Sequence, residues 1–212
     1  MSSKHKAEKH KHGKHKKKNQ DSNDNAAPIS RFPIPPLDAM EPDIRARIEA
    51  VQEKSGFVPN IFLALAHRPE EFRAFFAFHD TLVDKDEGLS KAEREMIIVM
   101  TSALNQCLYC VVAHGAILRI RAKDSLLADK LAVNYLKADL SPRHRVMLEF
   151  ASKVCMASDS IDDEDFAALD EAGFDPEEIW DISAITALFA LSNRLANVAS
   201  IQPNAEFYTL GR

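Results

Sequence analysis

Glycine is scarce in this 212-residue chain: six residues in all, of which only Gly56, Gly88, Gly115 and Gly173 stand away from the two ends. So few positions free to take left-handed backbone argue against a turn-rich all-β protein and against a glycine-rich phosphate loop. No apolar run is expected to reach the length of a bilayer span, so neither a transmembrane helix nor a membrane partner is expected. The basic N-terminus has no apolar stretch behind it, which argues against a secretory signal and for a cytoplasmic location. Three cysteines are too few for a disulfide-stapled scaffold, and two of them stand as Cys107-Leu108-Tyr109-Cys110. In a cytosolic chain that spacing points to redox or metal chemistry. No haem- or flavin-binding motif is visible, so no cofactor is expected.

What is present is a globular composition, 46% hydrophobic and 28% charged, enough to bury a sizeable core. The formal net charge of −5 hides two unlike parts. Residues 1–18 hold eight Lys and four His against one Glu, a formal +7, and subtracting this from the total leaves −12 on residues 19–212. So acidic a body does not suit a nucleic-acid-binding domain. Residues 1–28 lack apolar periodicity and read as a disordered Lys/His-rich tail, leaving 29–212 as a single domain.

That domain reads as all-α. Glu41-Pro42, Val58-Pro59, Pro69-Glu70-Glu71, Ser141-Pro142, Asp162 and Asp175-Pro176 each open a run with apolar residues at helical spacing. Ser90-Lys91-Ala92-Glu93 is a capping-box pattern ahead of the apolar run Met96 to Leu104, and Gly173 stands where a helix C-cap is expected.

The residues able to carry chemistry are Glu95, Cys107, Cys110 and His114. On one helix the last three share a face. Glu95 cannot lie on that same straight helix and reach them, because twelve residues of helix span about 18 Å. Asn105-Gln106 offers a reversal. In an antiparallel hairpin turning there, Glu95, ten residues before Asn105, and His114, nine residues after it, fall at the same height. Both cysteines then sit in the first helical turn, where free N–H groups and the dipole favour thiolates. A carboxylate that orients an imidazole, beside a thiol, is a proton relay. A thiolate so formed attacks a peroxide to give a sulfenic acid, which a neighbouring thiol condenses to a disulfide. Other readings use the same residues: plain buried packing of the cysteines, a zinc site built from all four side chains, or a disulfide carrier serving a peroxiredoxin-like partner.

Around this set, Cys155 has no acid or imidazole at helical spacing and is expected to be a small packed residue. His79 and Asp80 end a Phe-rich stripe expected to be core. Tyr109 either donates a hydrogen bond near the site or faces a subunit interface. Asn193-Arg194 interrupts an apolar helix and needs polar partners, at an interface or in a pocket lining.

From about Ser30 to Phe207 the chain resembles the carboxymuconolactone decarboxylase-like superfamily, and within it the AhpD-type alkylhydroperoxidase branch and its peroxidase-related proteins. The family pattern is Glu, eleven residues, Cys-x-x-Cys, three residues, His, and it falls on Glu95, Cys107, Cys110 and His114 without a spacing error. Gly56-Phe57-Val58-Pro59-Asn60, Leu89 through Glu95, Val112-Ala113-His114-Gly115 and Leu131 through Tyr135 carry the resemblance further. It implies an all-helical fold assembling as a homo-oligomer, trimer or hexamer, with a hydroperoxide as substrate and a dithiol or thioredoxin-like reductant as partner. It implies Cys110 as the sulfur that forms the sulfenic acid, Cys107 as proton donor and resolving thiol, and Glu95 and His114 as relay. The branch often carries His immediately before the second cysteine, where this chain has Tyr109. The decarboxylase branch lacks the cysteine pair.

Overall fold

The computed structural model describes residues 28–212, so the tail expected over 1–28 lies, but for Pro28, outside them. Among the described residues there are nine α-helices and no strand. They are α1 (Pro42–Ser55), α2 (Asn60–Leu65), α3 (Pro69–Val83), α4 (Lys91–Leu104), α5 (Leu108–Ala122), α6 (Leu127–Asn134), α7 (Pro142–Ala157), α8 (Asp163–Glu171) and α9 (Pro176–Ala199).

The helix starts follow their local chemistry. Proline occupies the first position of α1, α3, α7 and α9, where its missing N–H costs nothing. Ser90 and Glu93 close a full capping box on α4, and Asp162 with Asp165 and Asp175 with Glu178 do the same on α8 and α9. Gly173, at φ +81°, ends α8 with Phe174 N–H bonded back to the Leu169 carbonyl. At the start of α6, Asp124 Oδ1 accepts from the N–H groups of Leu126 and Leu127.

Every residue from Glu93 to Ser102 is buried, so α4 is covered on all sides and lies at the centre, against α5, α6, α7 and α9. Three charged residues are buried with it, and each is answered. Glu93 accepts from the Ser90 N–H and pairs with Arg143. Arg94, wholly buried, donates to the carbonyls of Leu82, Glu87 and Leu89 and to Asp181 at 3.1 Å. Glu95 is left to pair with α5. Buried charge is tolerated only when paired and hydrogen-bonded in this way.

Helix α9 differs from the sequence expectation. Its 24 residues are long and apolar enough to cross a bilayer, although none of the chain was expected to be. Half of its apolar window is packed inside the fold, and it buries Asp181, Ser192 and Asn193 against neighbouring helices.

Three apolar clusters make up the interior. One surrounds α4 and α9, a second gathers around the cysteines with Tyr109 and Phe207, and a third joins α1 to the phenylalanines of α3. Phe75 and Ile61 bridge between clusters, and the candidate site lies where the three meet.

Candidate active site

The turn between α4 and α5 sets the position of the first cysteine. Asn105 ends α4, and Gln106 takes left-handed backbone, φ +53°, where glycine is the usual choice. The N–H groups of Gln106 and Cys107 return to the carbonyls of Ala103 and Ser102, closing a Schellman turn. Cys107 thus ends one helix and caps the next. The sequence reading put it inside the first turn of the second helix; it is instead the N-cap, in extended backbone, with the Cys110 N–H donating to its Sγ at 3.4 Å. Three residues link the helices, 105 to 107, and the reversal brings Glu95 and His114 together: Nδ1 of His114 lies 2.8 Å from Oε2 of Glu95. An ionised carboxylate only accepts, so Nδ1 carries the hydrogen and Nε2 is the free nitrogen.

Both cysteines are free thiols and almost inaccessible, at 1% and 2% exposure. They are hydrogen-bonded to each other. Accepting the Cys110 S–H and N–H lowers Cys107 to about 7, while the same bond and burial push Cys110 well up. Asn193, fully buried on α9, also bonds to the pair; its amide donates to Ser102 Oγ at 3.0 Å and its oxygen accepts from Asn105 at 3.1 Å. Asn193 thus finds its polar partners inside the fold without lining the cavity, whereas Arg194 points outward to its own helix carbonyl at Ala190. Cys155 is half-buried and accepts a hydrogen bond from Asn105 at 3.4 Å.

Beside the pair lies a largely apolar cavity of about 460 Å³, lined by side chains of α1, α3, α5 and α9. Cys110 and His114 line it; Cys107 does not. Tyr109 also borders it, with its hydroxyl accepting the Ile61 N–H at 3.3 Å, and burial drives its ionisation far up. Sequence reasoning missed three further residues here. His79, assigned to the core with the Phe stripe, reaches the cavity; its Nδ1 lies 3.2 Å from Asp80, which pairs with Arg47 at 2.7 Å. Arg47 is fixed in turn over the Phe76 ring at 4.8 Å. The one available signal was position: His79 follows Phe72 and Phe76 at helical spacing, so it shares their inward face. Among the described residues no three His, Cys, Asp or Glu side chains converge so as to hold a metal ion.

The carboxymuconolactone decarboxylase family pattern matches residues 69–125. A peroxidase-related protein of Ralstonia eutropha JMP134, with an alkylhydroperoxidase AhpD core, is 65% identical over 88% of this chain and 98% of its own, with a TM-score of 0.87. A peroxidase-related protein of Silicibacter sp. TM1040 is 39% identical over 89% of this chain and 98% of its own, with a TM-score of 0.84. The debrominase Bmp8 shares the fold at 21% identity, covering 86% of this chain and 95% of its own, with a TM-score of 0.67. No curated protein matches this chain.

Proposed function

Because the chain belongs to the AhpD-type branch of the carboxymuconolactone decarboxylase-like superfamily, we propose that it is a thiol-dependent hydroperoxide reductase cycling through a Cys107–Cys110 disulfide. The observation that carries this reading is that Cys110, His114 and an apolar cavity meet at one place, with Glu95 holding the imidazole.

Cys110 faces the cavity and is therefore the attacking sulfur, although Cys107 is the easier thiolate. The two facts fit one sequence of events. Cys107 gives its proton to His114, whose positive charge Glu95 supports, and the Cys107 thiolate then acts as local base. As the Cys110 sulfur bonds to the terminal oxygen of the peroxide, its proton crosses the S–H···S bond to Cys107, the O–O bond breaks, and the other oxygen leaves with the electron pair to be protonated to the alcohol or water. The sulfenic acid left on Cys110 is displaced by Cys107, which closes the disulfide and releases water.

Cavity chemistry favours a neutral organic hydroperoxide. The walls are mostly aliphatic and aromatic, Arg47 is already paired by Asp80, and Asp84 adds negative charge to the lining. A carboxylate-bearing substrate would meet uncompensated charge there. Burial of both thiols favours a small peroxide over the surface of a peroxiredoxin-like partner as oxidant. The reductant is proposed to be a dithiol, small or thioredoxin-like, and the active form a homo-oligomer. Turnover of an alkyl hydroperoxide with excess dithiol tests the assignment: Cys110→Ser should abolish it, and full activity in that variant would sink the proposal.

A further inference from the structure

The cavity holds a second imidazole to which the cycle above gives no task. His79 stands on α3, its side chain 21% exposed, and lines the same cavity as Cys110 and His114. Its Nδ1 lies 3.2 Å from Asp80 Oδ1, and Asp80 Oδ2 accepts from Arg47 Nη2 at 2.7 Å. The paired carboxylate only accepts, so Nδ1 carries the hydrogen and Nε2 keeps its lone pair. Burial, and then the neighbouring His114, hold this imidazole below its ordinary 6.5 and so neutral at pH 7. The rings of His79 and His114 are 6.5 Å apart between centroids, and both lie against Phe189. That separation is too long for a direct hydrogen bond and short enough for a small polar group to bridge. Tyr109, where the branch often has histidine, has its hydroxyl tied to the α2 backbone.

On the hydroperoxide-reductase reading, the geometry points to His79, oriented by Asp80, as a second catalytic residue that moves the substrate's own proton from the attacked oxygen to the leaving one. Displacement at oxygen places the leaving oxygen on the far side from sulfur, out in the cavity. The Cys110 sulfur forms a bond to the terminal oxygen of R–O–O–H, the O–O bond breaks, and its electron pair departs on the R–O oxygen. His79 Nε2 takes the proton from the terminal oxygen and returns it to the alkoxide. The products are R–OH and a sulfenate: sulfur has lost two electrons, the peroxide has gained them, and no proton has entered or left. The proton held on His114 then neutralises the sulfenate, and Cys107 closes the disulfide with loss of water. An alkoxide is a strong base that leaves poorly without a proton, so the neutral His79, held by the Asp80 carboxylate, matters most for alkyl hydroperoxides.

The leaving group therefore supplies the test. The reduced full chain is mixed in single-turnover experiments with tert-butyl hydroperoxide, which expels an alkoxide, and with peracetic acid, which expels acetate and needs no proton on it. His79→Gln should slow the first reaction by about 100-fold or more, the usual scale of general acid–base catalysis, and leave the second nearly unchanged. Asp80→Asn keeps the ring and loses the charge; it should show a smaller loss with the same preference, and it carries the test if His79→Gln does not fold. Equal losses with both oxidants, or no loss with either, would overturn the role of His79 alone. A wild-type protein whose thiols react with neither oxidant would overturn the reductase reading, and this inference with it.

Discussion

The hydrogen bond between the two thiols sets the reactivity of the pair, and Cys110→Ala removes it. Cys107 has its ordinary value of 9.0 lowered to about 7, with the Cys110 S–H as the leading cause and burial opposing. Without that donor the opposition stays, and Cys107 should return toward 9. Such a return would leave far less of Cys107 as thiolate at pH 7, a loss on the order of tenfold or more. Cys110→Ser keeps an O–H donor in place and should fall between. Ultraviolet thiolate absorbance followed against pH reads this without requiring a reagent to reach a buried sulfur. A Cys155→Ser background removes the third thiol, which burial pushes upward. A midpoint that stays near 7 in Cys110→Ala would refute the reasoning and hand the effect to the helix end instead.

Three other outcomes follow from the fold. Gln106→Gly removes a side chain from left-handed backbone at φ +53°. It should stabilise the protein by about 1 kcal/mol, a rise of about 2–4 °C in Tm by thermal unfolding for a chain of this size. Arg94→Met strands the buried carboxylate of Asp181, leaving only the partly exposed Lys85 to answer it. Denaturant unfolding should show a loss of about 3–5 kcal/mol, partly recovered by adding Asp181→Leu. The third concerns acid. His79 is depressed in the folded protein, so between its ordinary 6.5 and its folded value the unfolded chain binds more protons. Its contribution is fully present above pH 6.5 and is lost as pH falls through the folded value; His79→Gln should flatten the decline in Tm as pH falls below 6.5.

Local rules made much of this legible before any coordinates. Capping residues and N-terminal prolines announce their helices because each satisfies, or does not need, a backbone N–H at its own position. The meeting of Glu95 and His114 was equally accessible, since counting residues out from Asn105 is enough once the chain reverses there. What escaped depends on contacts between distant segments. His79, Asp80 and Arg47 come from two helices well before the cysteines, and their helical pattern is that of ordinary core and surface. Asn193 showed only as a polar break in an apolar helix; that it would lie under both sulfurs depends on how α9 packs on α4. That α9 is long and apolar enough to cross a bilayer was missed because its polar residues broke the apolar run when read along the chain, while their partners lie on other helices. Cys107 moved from helix to N-cap because left-handed Gln106 delays the start of α5, and glutamine does not advertise that conformation.

The most direct measurement is intact and peptide mass analysis of the reduced protein before and after one equivalent of an alkyl hydroperoxide. The account predicts rapid appearance of a Cys107–Cys110 disulfide with Cys155 still free. Three unchanged thiols after exposure would contradict it.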